Sequence, residues 1–187
     1  FNLAVGAEYR YENYKIYAGE PGSYTNYDQS GNKATGAQGF PGYQPKDEIN
    51  AKRNVWGVYA DDEFDASDVW LIDLAVRAEH YNDFGFTHNY KLATRYKASD
   101  KFNIRGSVST GFRAPSLQQI NFSSSFTTVQ AGNIAEVVIA PNYSNLAKAA
   151  GIPELNQEKS INASLGFTSR ATPNLNITVD GYYTKIK

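Results

Sequence analysis

Alternation of apolar and polar residues is the sequence feature that most constrains how this chain folds. Residues 69–81 give the clearest case: every second residue from Trp70 to Ala78 is apolar, whereas Arg77 and Glu79 lie on the other side. Successive side chains of a β-strand point to opposite faces, so this pattern predicts a strand with one apolar and one polar face. The same reasoning predicts seven strands, at residues 3–17, 54–64, 69–81, 89–98, 102–112, 160–169 and 175–186.

The connections between these strands differ sharply in length. Residues 65–68, 99–101 and 170–174 form short turns, whereas residues 18–53 and 113–159 form long loops and residues 82–88 a shorter one. Short turns at one rim and long loops at the other are typical of bacterial outer-membrane barrels. We therefore predict an all-β, antiparallel transmembrane β-barrel segment of about seven strands, with short periplasmic turns and long extracellular loops. The alternative is a soluble β-sandwich, which seldom carries two such long loops.

Aromatic residues cluster near the short-turn rim on the apolar sides of the strands. Such a cluster is typical of the aromatic girdle at a membrane–water interface, whereas the core aromatics of a sandwich need not share one height. Asp62 departs from the pattern because it has the parity of the apolar residues, so we expect it at headgroup level or beside a bulge that switches the parity. The five aromatic residues are Phe64, Trp70, Tyr96, Phe102 and Phe167.

Composition excludes several classes of function. The chain has no cysteine, and only His80 and His88 among histidines, so we predict no metal site and no thiol chemistry. A net charge of −1 gives no basic surface for nucleic acid. The acidic run from Asp61 to Glu63 is a poor metal cluster, because alternation sends its middle residue to the opposite face. No nucleophile motif is present, so we predict no enzyme, no catalytic residue and no cofactor.

Several segments resemble one receptor family when they are taken in order. GFRAPSLQQ at residues 111–119 follows the strand NIRGSVST, and LNQEKSINASLGF (155–167) and NLNITVDGYYTKIK (174–187) come after it. Upstream stand VYADDEFDASDVWLIDLAVRAEHYNDFG (58–85) and NYKLATRY (89–96). This series, which covers nearly everything after residue 54, resembles the carboxy-terminal part of TonB-dependent outer-membrane receptors of the Bacteroidetes-like type.

The resemblance implies a barrel of roughly 22 strands with a plugged lumen, of which seven strands would form about a third. We expect residues 1–187 to be a partial barrel domain, with both ends cut from a longer protein and the plug domain, TonB box and remaining strands outside it. Such a receptor imports a scarce ligand, namely an iron chelate, a cobalamin-like cofactor or an oligosaccharide. Its partners would be outer-membrane lipid, its own plug and the TonB complex. The alternatives are a passive porin-like or small structural barrel, and a secreted soluble β-sandwich that binds a ligand.

The polar sides of the strands supply candidate contacts to the plug. Charges inside a barrel need partners or water, and a plug provides both; the alternative is the solvated face of a soluble sheet. Pro115 lacks an N–H, so we interpret residues 113–115 as the point where a strand leaves the membrane. The candidate plug-facing residues are Arg77, Glu79, Arg95, Arg105 and Arg113.

The two long loops supply candidate contacts to the ligand. Tyrosine and phenylalanine on loops commonly contact ligands, although they equally often pack within the loop. Residues 144–151 have the pattern of a short capped helix that ends at Gly151, which we interpret as a lid or scaffold element. The candidate ligand contacts are Tyr24, Tyr27, Phe40 and Tyr43.

Overall fold

The computed structural model describes residues 1–28, 30, 33–34, 36–37, 41–131 and 133–187. Phe40, one of the predicted ligand contacts, lies outside these described residues. The strands are β1 (Asn2–Ile16), β2 (Ile49–Ser67), β3 (Trp70–Tyr81), β4 (Gly85–Ser99), β5 (Phe102–Arg113), β6 (Ser124–Gln130), β7 (Asn133–Ile139), β8 (Glu158–Thr172) and β9 (Leu175–Ile186). The helices are α1 (Leu117–Asn121), α2 (Asn145–Ala149) and two single 3-10 turns, Pro21–Ser23 and Pro45–Asp47.

Seven of the strands form one sheet in the order β1-β2-β3-β4-β5-β8-β9. The pairings along this sheet from β2 through to β9 are antiparallel. The seven predicted strands are therefore confirmed, and β9 has the predicted bounds. Residues 1–10, 54–114 and 156–187 form one compact unit, which holds most of this sheet.

Two strands are longer than the alternation predicts. β2 begins at Ile49 rather than at residue 54, and β4 begins at Gly85 rather than at residue 89. Gly85 has a φ of 93°, a conformation that side chains disfavour, and it closes a tight turn after Tyr81. The shorter connection predicted at residues 82–88 is thus a tight hairpin turn at residues 82–84, and the rest of the predicted span belongs to β4.

Three short turns at one end of the sheet share one geometry. Each has two residues outside the strands, at 68–69, 100–101 and 173–174, and each follows a register shift in the preceding strand. Hydrogen bonds also link these turns to the next strand along the sheet. The Lys97 N–H donates to the Val69 carbonyl at 2.7 Å, and the Arg170 N–H donates to the Lys101 carbonyl at 2.8 Å.

The register places the predicted apolar residues on one side of the sheet and the predicted polar residues on the other. One row of paired residues, at the short-turn end, runs through Trp70, Tyr96, Ile104, Phe167 and Val179 on successive strands. We call the side that carries this row the apolar face. Most of its large side chains are exposed, and soluble monomers rarely expose so large a continuous apolar surface.

The aromatic residues predicted to form a girdle lie on this apolar face near the short turns, and their place at a membrane interface stays a prediction. Trp70 pairs with Tyr96, and its indole N–H donates to the Thr94 hydroxyl at 2.7 Å. The Phe102 and Phe167 rings lie 5.5 Å apart. The predicted aromatics thus occur at one height near the short turns.

Asp62 keeps the parity of the apolar face. It pairs with Leu74 in a stretch of β2 and β3 that runs without a register shift from Val55 to Asp65. A bulge beside Asp62 was one of two explanations that we expected. The described residues show no bulge in this stretch of β2 and β3. One carboxylate oxygen of Asp62 is buried and has no hydrogen-bond partner among the described residues.

Residues 11–53 and 115–155 form a second compact unit. β6 and β7 pair there as a separate hairpin, and α1 precedes them. The prediction that residues 113–159 form a loop with only one helix missed these elements. The helix predicted at residues 144–151 is confirmed as α2, since the Ser144 hydroxyl accepts from the Ala147 N–H and Gly151 follows with a φ of 73°.

The predicted strand exit at residues 113–115 is also confirmed. β5 ends at Arg113, and Ser116 then caps α1. The Ser116 hydroxyl accepts from the Gln119 N–H at 3.1 Å, while the Gln119 side chain accepts from the Ser116 N–H at 2.8 Å. This reciprocal pair is a capping box, so the SLQQ sequence itself specifies the start of the helix. Within the described residues, no helix has the length and apolarity needed to cross a membrane.

Candidate functional site

The polar face of the sheet carries a network of charged groups that joins β1 to β3. The Arg77 guanidinium donates to Glu8 at 2.6 Å and also to Glu79. The Tyr81 hydroxyl donates to the second Glu79 oxygen at 2.6 Å, and Arg10 donates to the Tyr81 hydroxyl at 3.3 Å. Glu79 and Tyr81 are both buried. Because each buried group in this network has a hydrogen-bonded partner, the network can persist on a face with little water.

A second cluster of charged side chains lies on the same face, closer to the short turns than the first. Lys91 donates to Asp73 at 2.6 Å and lies 3.8 Å from Asp61. Ala75 on β3 is the register partner of Lys91 on β4 and of Asp61 on β2, so the lysine reaches Asp61 across this small residue. The other Asp73 oxygen is buried and has no hydrogen-bond partner in the described part of the chain.

A third group spans three strands of the same face. The Arg105 guanidinium donates to both oxygens of Asp180, at 2.9 Å and 2.6 Å. Gly166 on β8 is the register partner of Arg105 on one side and of Asp180 on the other. The arginine side chain therefore reaches across a strand whose residue at that point has no side chain.

Arg95 and Arg113 stand apart from these networks. Arg95 pairs directly with Arg105 in the register, and it forms no ion pair or hydrogen bond with the residues that the structure describes. Arg113 lies 3.9 Å from Glu158, and both side chains are largely exposed. Of the five predicted wall residues, the structure thus joins Arg77 to Glu79 and sets Arg95 beside Arg105. Their contact with a plug domain stays a prediction.

Asp100 carries a charge in one of the short turns. Lys97 donates to its carboxylate at 2.8 Å, and this hydrogen bond and the positive charge of Lys97 lower the pKa of Asp100. Asp100 is almost fully exposed, so solvent screens the pair strongly. The turn-forming pair therefore affects local geometry more than stability.

The second unit contains a buried carboxylate that ties two distant segments together. Asp47 is only 1% exposed and accepts from the hydroxyls of Ser123 and Ser125, each at 3.0 Å. Its other oxygen accepts from the backbone N–H groups of Ser125, at 3.2 Å, and Gln44, at 3.0 Å. Four donors satisfy this buried charge, which would otherwise be costly. Residues 44–47 and 123–125 are thus held as one substructure.

The predicted ligand contacts within this unit differ in exposure. Tyr24 is half-buried, whereas Tyr27 is 76% exposed. Tyr43 is partly exposed, and its ring packs edge-on against Phe122 with centroids 6.3 Å apart. Tyr27 and Tyr43 thus present aromatic surface, while part of Tyr43 serves loop packing. Ligand contact by these tyrosines stays a prediction.

Sequence reasoning missed the residues that organise both regions. Nothing in the alternation singles out Glu8 or Asp180 as the partners of Arg77 and Arg105, because they lie 69 and 75 positions away. Asp47 had a local signal, since it is the third residue of a turn that begins with Pro45. Its serine partners are 76 and 78 positions away, and no local pattern reveals them. Among the described residues, no group of three or more His, Asp or Glu could hold a metal ion.

Comparison with known proteins identifies the protein family of this chain. The sequence matches the family described as TonB dependent receptor-like, beta-barrel, over residues 1–187. No curated protein sequence matches it.

Solved receptors share the fold. The chain is similar to the siderophore receptor PirA from Acinetobacter baumannii, with a TM-score of 0.66 and 18% identity over 99% of this chain and 24% of that one. It is also similar to a mutant of the ferric enterobactin receptor PfeA from Pseudomonas aeruginosa, with a TM-score of 0.65 and 14% identity over 99% and 24% of the two chains. For PirA from Pseudomonas aeruginosa the TM-score is 0.63 and the identity 16%, over 98% and 28%.

The chain thus spans about a quarter of the length of these receptors. The proteins named are receptors, which fits the prediction that the chain is not an enzyme. The Bacteroidetes-like character stays a prediction. The seven-stranded sheet is a segment of an antiparallel transmembrane β-barrel, and the chain belongs to the TonB-dependent receptor β-barrel family.

Proposed function

We propose that this chain forms part of the wall and extracellular loops of an outer-membrane receptor that imports an iron chelate. The observation that carries the proposal is the family match over residues 1–187. The similar solved structures are siderophore and ferric enterobactin receptors, which favours an iron chelate over a cobalamin-like cofactor or an oligosaccharide.

In this proposal the apolar face contacts lipid and the row from Trp70 to Phe167 lies at the periplasmic interface. The exposed apolar side chains, such as Val58 and Leu165, are then covered by acyl chains. The polar face lines the lumen. There Arg95, which has no partner among the described residues, is available to an acidic group of the plug domain.

Residues 1–187 act in this proposal as a partial barrel domain, and the plug and the TonB complex are partners in the complete receptor. The plug would move when energy arrives from the inner membrane, while the wall stays fixed. The ion pairs on the polar face support a fixed wall, because Arg77 and Arg105 each hold carboxylates on other strands. A wall whose charges are paired internally loses little when the plug moves away.

Tyr27 and Tyr43 would contact the ligand from the extracellular loops, with Tyr24 and Phe40 as further candidates. Tyrosine combines an aromatic ring with a hydroxyl, and both suit a polar aromatic chelate. The substructure held by Asp47 would support Tyr43, because Gln44 next to it donates to that carboxylate.

Uptake by cells that carry the complete receptor as their sole high-affinity importer tests this proposal. We expect accumulation of radiolabelled iron from ferric enterobactin or a related chelate, and loss of it without TonB. Uptake of cyanocobalamin or a maltooligosaccharide instead would overturn the ligand class. Uptake of all three without TonB would indicate a passive porin-like barrel.

Matched variants test the loop residues. Y27A with Y43A should weaken binding of the chelate by about tenfold or more, since each aromatic contact contributes roughly 1 kcal/mol. Y183A serves as the control, because Tyr183 is similarly exposed but pairs with Ala163 on the apolar face. Equal binding by all variants would remove the tyrosines from the proposed site.

A further inference from the structure

The two long connections of this chain are joined to each other by side-chain contacts. Residues 17–48 connect β1 to β2, and residues 114–157 connect β5 to β8. In the sheet, β3 and β4 lie between β2 and β5, so the two connections start from strand pairs that are not adjacent. Contacts between them therefore join segments that the strand order alone would leave independent.

Asp47 makes the central contact between the two connections. Its side chain is buried, and three of its four donors come from the second connection, namely the hydroxyls of Ser123 and Ser125 and the Ser125 backbone N–H. The fourth donor, the Gln44 N–H, belongs to the first connection. Separation of the connections would deprive this carboxylate of three hydrogen bonds, so the buried charge holds them together.

Lys46 extends the contact to the β6–β7 hairpin. Its ammonium group forms an ion pair with Glu136 of β7, and both side chains are half exposed, so the pair alone contributes little to stability. Glu136 is the register partner of Thr127, which lies two residues after Ser125 in β6. Ser125 and Glu136 therefore belong to one face of the hairpin, and this face contacts residues 44–47.

Tyr43 lies at the edge of this set of contacts. Its ring packs edge-on against that of Phe122, while 38% of the residue stays exposed. Tyr43 directly precedes Gln44, and Phe122 directly precedes Ser123, so both rings are attached to residues that Asp47 holds. The position of the exposed tyrosine thus depends on both connections. We call this set of residues the clasp: Tyr43, Gln44, Lys46, Asp47, Phe122, Ser123, Ser125 and Glu136.

We propose that Asp47 is a positioning residue for ligand capture, which holds Tyr43 in place by keeping the clasp closed throughout import. This inference rests on the proposed function, in which Tyr43 contacts an iron chelate. Asp47 is buried and acts through Tyr43 without touching the ligand. A closed clasp presents the phenol ring already ordered, so less binding free energy is lost when the ligand arrives. The two long connections then behave as one body.

A double-mutant cycle in the complete receptor tests the positioning role, with ferric enterobactin as the probe. Asp47→Asn should raise the Kd about fivefold, the expected contribution of one aromatic contact, and leave the uptake rate at saturating chelate unchanged. In a Tyr43→Ala background, the same substitution should change the Kd by less than about twofold. Glu20→Gln, an exposed position in the same unit, should have no effect in either background. Equal losses from Asp47→Asn in both backgrounds would overturn the role.

A reversible cross-link tests whether the clasp stays closed. K46C/E136C places two thiols at the ion-pair positions of a chain that has no cysteine, and any cysteine elsewhere in the receptor is changed to serine. After linkage by a short bis-methanethiosulfonate, the receptor should bind and import the chelate as it does after reduction. K148C/E154C is the matched control, because it links an ion pair within the second connection alone.

Two outcomes of the cross-link decide the proposal. Loss of uptake on linking K46C/E136C, with recovery after reduction, would show that the connections separate during import and would overturn it. Linking the same pair in the Asp47→Asn variant should restore the wild-type Kd, because the covalent link replaces the buried carboxylate. A Kd that stays raised in the linked variant would equally contradict the positioning role.

If the Asp47 variant fails to insert in the membrane, Ser125→Ala takes its place in the cycle. It removes one hydroxyl donor and should raise the Kd about threefold, again only where Tyr43 is present. An unchanged Kd in a folded Ser125 variant would overturn the proposal. Absence of chelate binding by the wild type would contradict the proposed import function and the role of Tyr43 with it. Normal wild-type binding with additive losses would contradict this inference alone.

Discussion

Arg105 and Asp180 are joined by two hydrogen bonds across Gly166, although strand β8 separates the strands that carry them. A bidentate arginine–carboxylate pair holds both its distance and its orientation. Here it fixes β5 relative to β9, two positions apart in the sheet. The pair can form only because Gly166, which lies between the two residues, has no side chain to block their contact.

Gly166→Ala should therefore destabilise the barrel. A Cβ at this position would collide with the Asp180 carboxylate and lie 2.6 Å from the Val179 carbonyl oxygen, which cannot yield without moving β9. We expect a loss of about 1–3 kcal/mol in the free energy of unfolding, measured by denaturant titration of the receptor in detergent. Gly181→Ala is the matched control, since its nearest contact would be at 3.8 Å, and it should change stability by less than about 1 kcal/mol. Equal effects of the two alanines would show that the crossing pair does not depend on Gly166.

Asp62→Leu should stabilise the protein. The carboxylate lies on the apolar face opposite Leu74, and one of its oxygens is buried without a partner among the described residues. Replacing it with a side chain that suits lipid should raise the free energy of unfolding by about 1–2 kcal/mol. Asp61→Leu, one residue away on the polar face beside Lys91, should give no gain. A loss of stability in the Asp62 variant would indicate that this carboxylate has a partner in the complete receptor.

Asp47→Asn should loosen the substructure of residues 44–47 and 123–125. The asparagine side chain has one acceptor fewer and adds two donors where four donors already converge. We expect the backbone N–H groups of Gln44 and Ser125 to exchange with solvent faster, equivalent to a loss of roughly 2–4 kcal/mol in local opening free energy. Hydrogen exchange with mass spectrometry measures this directly.

Two controls bracket that result. Ser125→Ala removes one of the donors and should give a smaller loss, about 1–2 kcal/mol. Glu20→Gln changes an exposed charge in the same unit and should leave exchange unaltered. Protection that is unchanged in the Asp47 variant would mean that the buried carboxylate does not hold these segments.

The Lys97–Asp100 pair should make a small, pH-dependent contribution to stability. Lys97 lowers the pKa of Asp100, so the folded state binds this proton less readily than the unfolded chain, whose aspartate pKa is about 3.9. The contribution is therefore present above that value and is lost as the pH falls through the lower folded pKa. The difference in stability between the wild type and Asp100→Asn, measured from neutral to acid pH, should shrink over that range. A difference that grows as the pH falls would contradict the sign.

Much of the sheet could be predicted from sequence because its physics is local. Alternation from Trp70 to Ala78 reports directly which side chains share a face, and lipid on one side keeps that alternation strict. The bounds of β2 and β4 were less predictable. Gly85 makes a tight turn possible, but the alternation itself does not reveal where a turn replaces a loop.

The candidate site was less accessible to sequence reasoning. Charge and parity placed Arg77 and Glu79 on the polar face, and the structure joins them. The partners that give these groups their arrangement, such as Glu8, come from strands far away in the chain. The β6–β7 hairpin was missed because residues between two barrel strands were treated as one connection, although SSFTTVQ and NIAEVVI are rich in strand-forming types.

The shared geometry of the short turns has a consequence for how this protein can vary. The hydrogen bonds from Lys97 to Val69 and from Arg170 to Lys101 fix the register of neighbouring strands at one rim. A slip by a single residue would turn every side chain to the wrong face, so inserting a residue in these turns would disrupt the whole wall. At the opposite rim the Asn82 N–H also donates to the Asn54 carbonyl, at 3.2 Å, so the tight turn there is fixed in the same way. Only the two long connections, at residues 17–48 and 114–157, can lengthen or shorten while the strands stay aligned. Natural selection can therefore vary these two long connections and leave the architecture of the wall untouched.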